Sequence, residues 1–122
     1  MNSHPLTLVL GASEKTDRYS NKAIRMLREY GFSVVAIGLR EGQVLDVPIV
    51  KQPILDKKID TVTLYLNPHN QQPHYQYILS LQPRRIIFNP GTENPELIEV
   101  AKEKGIETLE ACTLVLLSTK QY

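Results

Sequence analysis

The sequence predicts a three-layer α/β fold in which a doubly wound parallel sheet of five strands has helices on both faces. Two observations lead to this prediction: short apolar runs alternate along the chain with amphipathic segments, and the connections between them are short. Strands that alternate with helices in this way imply a parallel sheet with right-handed crossovers. With 122 residues the chain is long enough for one buried core, so residues 1–122 are predicted to form a single domain.

Five strands are predicted, and the first two are apolar runs of the kind that is buried on both faces of a sheet. The five strands comprise residues 6–10, 33–39, 61–66, 85–88 and 106–110.

Three helices are predicted between these runs. The first begins near residues 17–20, and its apolar stripe consists of Ala23, Ile24, Leu27 and Tyr30. The second follows Asn70 and ends before Pro83. The third has Asn94 as its N-cap and Pro95 in its first position, an arrangement typical of helix starts.

Two segments allow more than one interpretation. Residues 40–53 are rich in turn-forming residues and are predicted to be a connection, with one short extended piece at residues 47–50. Residues 113–117 form an apolar tail that suits either a last helix or an extended cover. That tail is able to pack on its own core or against a second copy or a protein partner.

Composition excludes several classes of protein. The 14 Lys and Arg residues nearly balance the 13 Asp and Glu residues, so a basic footprint for nucleic acid is not expected. One cysteine, Cys112, excludes an intrachain disulfide framework and suits a reducing compartment. No run is long enough to span a bilayer, and the first residues lack the pattern of a signal peptide. We therefore expect a cytoplasmic protein without a membrane or nucleic-acid partner.

The end of the first predicted strand has the features of an anion site. The small residues Gly11, Ala12 and Ser13 let backbone amides approach a ligand, and the next helix directs its free N–H groups to the same place. Arg18 and Ser20 lie at the start of that helix. Since Ser13 and Thr16 occupy the second and third glycine positions of the G-x-G-x-x-G fingerprint, the segment does not predict an NAD site.

Other strand ends extend this site, because ligands of open parallel sheets bind outside the carboxyl ends of the strands. Arg40 follows the second strand, where NAD enzymes have an acidic residue and where arginine suits a phosphorylated ribose. The third and fourth strands end in Asn67-Pro68 and Asn89-Pro90-Gly91. The pattern favours a phosphorylated adenosine over NAD.

Few residues suggest catalysis. Cys112 has no partner nearby in the sequence, His4 precedes the first strand, and His69 and His74 are five positions apart, which is not a metal-binding pair on one helix face. No carboxylate pair indicates acid–base chemistry. The sequence therefore predicts neither a metal site nor a catalytic residue.

The motifs resemble those of the small bacterial CoA-binding proteins. These are single Rossmann-like domains related to the CoA-binding part of the succinyl-CoA synthetase alpha subunit and of ADP-forming acyl-CoA synthetases. The resemblance covers residues 6–117 and rests on the Gly11-Ala12-Ser13 turn, the segment Asp17-Arg18-Tyr19-Ser20, Pro68, and residues 101–106 before Cys112. Where the family usually has Cys-Pro, this chain has Cys112-Thr113.

The resemblance implies that coenzyme A, free or acylated, binds along the carboxyl edge of the sheet. It implies that the pyrophosphate is held by Gly11, Ala12, Ser13, Arg18 and Ser20. It also implies that Arg40 lies by the phosphoadenosine, and that the pantetheine arm passes Asn67, Pro68, Asn89 and Gly91.

Three hypotheses follow for the function. The first is a non-catalytic module that binds coenzyme A or an acyl-CoA as a carrier, sensor or regulator. The second is an NADP-dependent oxidoreductase or a fragment of one. The third is an interaction protein whose nucleotide site has decayed.

Overall fold

The computed structural model describes residues 5–122 and contains one mixed sheet of seven strands in the order β3-β4-β2-β1-β5-β6-β7. The strands are β1 (Leu6–Leu10), β2 (Ser33–Ile37), β3 (Gly42–Val44), β4 (Val47–Val50), β5 (Thr61–Leu64), β6 (Arg85–Phe88) and β7 (Glu107–Glu110). Every neighbouring pair is parallel except β3 and β4. The prediction of a doubly wound Rossmann-like sheet is confirmed, and His4 lies outside the described residues.

The predicted number of five strands is wrong, because residues 40–53 contain a β-hairpin; the extended piece predicted at residues 47–50 is confirmed as its second strand, β4. Val44, Val47 and Ile49 are buried, while Gln43 in β3 and Pro48 in β4 are exposed. The hairpin joins the sheet through β4, which pairs parallel to β2. Its glycine and prolines indicated a loop, but Pro48 is exposed near the start of β4 and precedes Ile49 and Val50, the two residues that pair with β2.

Helices cover both faces of the sheet, so the three predicted layers are present. Helices α1 (Tyr19–Glu29) and α5 (Thr113–Ser118) cover one face, where Ile24, Leu27 and Leu117 pack in one apolar cluster. Helices α3 (Tyr75–Ser80) and α4 (Pro95–Glu103) cover the other, where Ile78 and Leu97 pack in a second cluster. The tail is therefore a helix that packs on its own core. None of the helices within residues 5–122 has the length and apolarity needed to cross a bilayer.

The second predicted helix is broken and begins earlier than expected. Helix α2 (Pro68–Gln71) starts directly after β5, because the Asn67 side chain caps it by accepting a hydrogen bond from the Asn70 amide. A 3₁₀ turn at Gln72–His74 then leads into α3. The predicted start of α4 is confirmed: the Asn94 side chain accepts from the Leu97 amide, and Pro95 is the first helical residue.

Candidate functional site

A cleft of about 910 Å³ runs along the carboxyl ends of the strands. It lies over the loops that follow β4, β2, β1, β5 and β6, in that spatial order. Because neighbouring strands are about 4.8 Å apart, these five strand ends extend over about 19 Å. The structure therefore offers room for a long, extended ligand rather than a single compact group.

Eight of the ten residues predicted for the site line this cleft. They are Gly11, Ala12, Ser13, Arg18, Ser20, Arg40, Asn67 and Gly91. Residues far apart in the sequence thus meet at one edge of the sheet, as the parallel topology requires.

Pro68 and Asn89 do not line the cleft. Pro68 is the first residue of α2. Asn89 is buried, and its side-chain amide donates to the Thr63 hydroxyl (2.7 Å) and the Leu64 carbonyl (2.9 Å) while its oxygen accepts from the Thr113 amide (2.8 Å). Asn89 thus joins β5, β6 and α5, so its position at a strand end serves the fold.

The turn after β1 differs in detail from the expected anion cradle. The amides of Gly11 and Ala12 both donate to the Ile37 carbonyl at 2.9 Å, so they hold β1 against β2 rather than face a ligand. Within residues 5–122 the Ser13 amide donates to no protein acceptor. The amide available to an anion in this turn is therefore that of Ser13.

Two glycines allow neighbouring strand ends to approach closely: Gly11, after β1, lies against the end of β5, and Gly38, after β2, lies against the turn after β1. Gly11 has φ +101°, and a Cβ there would lie 3.0 Å from the Tyr65 carbonyl carbon. A Cβ on Gly38 would lie only 2.4 Å from the Ala12 carbonyl oxygen. Gly38 was not predicted as a site residue, because its role depends on a neighbour that the sequence does not reveal.

The buried side chain of Asn21 holds the N-terminus of helix α1 at the cleft. The Asn21 amide donates to the Ser13 carbonyl at 3.0 Å, and the Asn21 oxygen accepts from Arg25 at 2.8 Å. The N-cap residue, Arg18, makes no side-chain capping bond. The backbone amide of Asn21 donates to the Arg18 carbonyl, so the amides of Tyr19 and Ser20, with the positive end of the helix dipole, are the groups of the first turn that are open to a ligand beside Ser13.

Charge is distributed unevenly along the cleft. The part over β4, β2 and β1 contains four basic residues, Lys15, Arg18, Arg40 and Lys51, which we call the basic half. Two acidic residues, Glu14 and Glu41, accompany them. Glu14 is already engaged, since its carboxylate accepts from the Gln43 amide at 2.8 Å. Lys51 was missed because the extended piece predicted at residues 47–50 was not predicted to pair with β2, the pairing that brings Lys51 to the cleft.

The other part of the cleft has no charged lining residue among the described residues. We call it the neutral end: the loop residues after β5 and β6, together with Asn70 and His74. Burial lowers the pKa of the His74 imidazole, so that side chain is neutral at pH 7. From its sequence spacing, His74 was rejected as a metal-binding partner of His69 and was not predicted as a site residue.

Tyr65 lies beside the turn after β1 and was also missed. Its hydroxyl is buried without a hydrogen-bond partner among the described residues, and the neighbouring hydroxyls of Thr63 and Thr113 bond to each other at 2.8 Å. Burial raises the pKa of Tyr65 to about 12, because the phenolate would lose its hydration.

The described residues contain no group of three His, Cys, Asp or Glu side chains arranged to hold a metal ion. Cys112 is a partly buried free thiol at the start of α5 and does not line the cleft.

Comparison with known proteins identifies the family. Residues 6–118 match the family model described as CoA binding domain. A crystal structure of an uncharacterized protein is 46% identical, with a TM-score of 0.94 over 99% of this chain and 100% of that one. No match was found among curated proteins.

More distant structures share the fold. A Thermus thermophilus protein described as cell-free ID.343 is 23% identical, with a TM-score of 0.86 over 98% of this chain and 91% of that one. The dinucleotide-forming acetyl-coenzyme A synthetase 1 of Ca. Korarchaeum cryptofilum, solved with phosphate and ADP, is 17% identical with a TM-score of 0.71. That match covers 89% of this chain but 26% of the synthetase. By its sequence and its fold, the chain belongs to the CoA binding domain family.

Proposed function

We propose that the protein binds coenzyme A or an acyl-CoA in the cleft, and that it acts in the cytoplasm as a carrier, sensor or regulatory module rather than as a catalyst. One observation carries the proposal. In a chain of the CoA binding domain family, the cleft combines an open helix start, a free amide at Ser13 and a basic half.

The shape and charge of the cleft fit this ligand. Coenzyme A has an anionic part, formed by the pyrophosphate and the ribose 3′-phosphate, and an uncharged pantetheine arm. The pyrophosphate fits beside Ser13 and the first turn of α1, where amides and a helix dipole favour an anion. Arg40 and Lys51 then face the 3′-phosphate, and the arm extends over the neutral end.

A binding role also agrees with the chemistry of the lining side chains. His74 lines the cleft, and among the described residues it has no carboxylate to orient it as a general base. The free thiol Cys112 does not line the cleft.

Isothermal titration calorimetry tests the proposal with coenzyme A, dephospho-CoA and NADPH. We expect coenzyme A to bind more tightly than dephospho-CoA, because Arg40 pairs with the 3′-phosphate. Arg40→Ala should remove this preference, whereas Lys57→Ala, an exposed substitution outside the cleft, should retain it. Failure of both CoA compounds to bind at millimolar concentration would refute the proposal, and tight binding of NADPH alone would favour the oxidoreductase hypothesis.

A further inference from the structure

The two loops that form the neutral end of the cleft are joined to each other by side-chain hydrogen bonds. Gln71 is fully buried, and its side-chain amide donates to both the Leu66 carbonyl and the Thr92 carbonyl, each at 2.8 Å. Its oxygen accepts from Asn94 at 2.8 Å. Gln71 thus joins the loop after β5 to the loop after β6 and holds them at one separation.

The electrostatic environment of this end disfavours a negative charge. The Gly91 amide, which would otherwise be free for an anion, donates to the Glu93 carboxylate at 2.9 Å. A second carboxylate, Glu96, accepts from the Tyr75 hydroxyl at 3.0 Å on the same side of the sheet. The basic residues of the cleft lie at its other part, and His74 is uncharged at pH 7.

The orientation of the ligand follows from this asymmetry. Three phosphate groups require the basic half, so the uncharged arm and the sulfur at its tip extend toward the neutral end. A group attached to that sulfur therefore meets amide and apolar side chains, close to the Glu93 carboxylate that accepts from the Gly91 amide.

We propose that the neutral end selects free coenzyme A or an uncharged acyl group over a dicarboxylic acyl group, and that Gln71 is the residue that positions it. This inference rests on the proposed function, and it adds the class of acyl group. A terminal carboxylate placed here would lie near Glu93, whose carboxylate accepts from the amide of the lining residue Gly91, and no cation among the described residues lines that end to compensate.

Butyryl-CoA and succinyl-CoA provide a matched test, because both acyl chains have four carbons and they differ in the terminal carboxylate. We expect calorimetry to show succinyl-CoA binding at least about fivefold more weakly than butyryl-CoA, the effect of one unfavourable charge contact in water. Equal affinities would overturn the inference while leaving the proposed function intact, whereas failure of coenzyme A itself would remove the proposed function.

A charge substitution tests the cause. Asn70 is exposed and lines the neutral end, so Asn70→Lys should bring the affinity of succinyl-CoA close to that of butyryl-CoA. Gln76→Lys adds the same charge on α3 outside the cleft and should leave the ratio of the two affinities unchanged. An equal change in both variants would show that net charge, not the neutral end, sets the preference.

The positioning role of Gln71 has its own readout. Gln71→Met removes both donors, so the two loops should separate and coenzyme A should bind more weakly, by about tenfold. Adenosine 3′,5′-bisphosphate, which occupies the basic half alone, should retain its affinity. An equal loss for both ligands would mean that Gln71 supports the fold in general and does not position this end.

Discussion

At the scale of single residues, the shape of the cleft depends on how closely strand ends approach each other. Gly38 allows β2 to lie against the turn after β1, since its Cα hydrogen faces the Ala12 carbonyl oxygen. Gly42, in β3, faces the flexible Glu14 side chain instead. The two glycines therefore have different tolerance for a methyl group.

We expect Gly38→Ala to lower the free energy of unfolding by about 1–3 kcal/mol, because the new Cβ overlaps backbone that cannot move freely. Gly42→Ala should cost about 1 kcal/mol or less, because the Glu14 side chain is able to rotate away and loses only its exposed hydrogen bond from the Gln43 amide. Urea denaturation measures both variants. Equal losses in the two would contradict the close approach at Gly38.

The raised pKa of Tyr65 predicts that the folded protein loses stability at alkaline pH. Its pKa is raised from 10.0 to about 12 in the folded protein, so the unfolded chain loses this proton first as pH rises. The contribution of protonated Tyr65 to the free energy of unfolding is complete below pH 10 and is lost as pH rises through 12. The loss amounts to about 2–3 kcal/mol. Tyr65→Phe should show a shallower alkaline fall in urea denaturation.

At neutral pH the same variant should be as stable as the parent protein or slightly more stable, because it removes a buried hydroxyl that has no partner among the described residues. Burial raises the pKa of Tyr122 as well, so part of the alkaline fall remains in Tyr65→Phe. A marked loss of stability at pH 7 would show that the hydroxyl makes a bond that the structure does not contain.

At the scale of elements, the anion site is made by the junction of β1 and α1. The turn between them is held to β2 through Ile37 and to α1 through Asn21. The β3–β4 hairpin adds a further connection, since Arg28 of α1 pairs with Asp46 at 2.7 Å in the hairpin turn. Helix α1 is therefore held near its start at the cleft and near its end by the hairpin turn at the opposite edge of the sheet.

We expect Asn21→Ala to lower the free energy of unfolding by about 1–3 kcal/mol and to weaken coenzyme A binding, because the Ser13 carbonyl loses its donor and the turn is no longer tied to α1. Arg25→Ala removes the other Asn21 bond and should leave the affinity nearly unchanged. Urea denaturation and calorimetry measure the two effects. Unchanged affinity in Asn21→Ala would show that this bond does not shape the site.

At the scale of the whole molecule, the net charge of the chain does not reflect the local charge of the cleft. The chain has a net charge of +1, yet four of the six charged residues that line the cleft are basic. A ligand attracted by this local charge should respond to salt, although the protein as a whole is nearly neutral.

We expect raising the salt concentration from 0.1 to 1 M to weaken coenzyme A binding by about tenfold, because the screening length falls from about 10 to about 3 Å. Uncharged pantetheine offers the matched control, since any binding it shows should not weaken in this way. Calorimetry at the two salt concentrations measures both. An affinity for coenzyme A that salt does not change would show that the basic half does not contact the phosphates.

Much of the fold could be predicted because its signals are local. The short apolar runs Leu6–Leu10 and Arg85–Phe88 are strands of the sheet, as their residue types predict. The Asn94 side chain caps α4 by accepting a hydrogen bond from a residue three positions later, and Pro95 suits the first helical position. The carboxyl-edge rule then brought together eight of the ten predicted site residues without any coordinate.

The remaining features depend on partners distant in the sequence. The amides of Gly11 and Ala12 are taken by Ile37, the Asn89 side chain is taken by β5 and α5, and Gln71 joins two loops that the sequence shows separately. The same is true of the β3–β4 hairpin, because Val44, Val47 and Ile49 belong to the core only through the pairing of β4 with β2.

By itself, the sequence determined the alternation of strands and helices, the parallel edge and the residue types that this edge presents, because periodicity and capping act over a few residues. The tertiary structure alone decided which amides remain free for an anion, where the charges collect and which end of the cleft is neutral. Hydrogen bonds and charges act between whichever groups the fold brings within a few ångströms, and that proximity is not a property of any local segment.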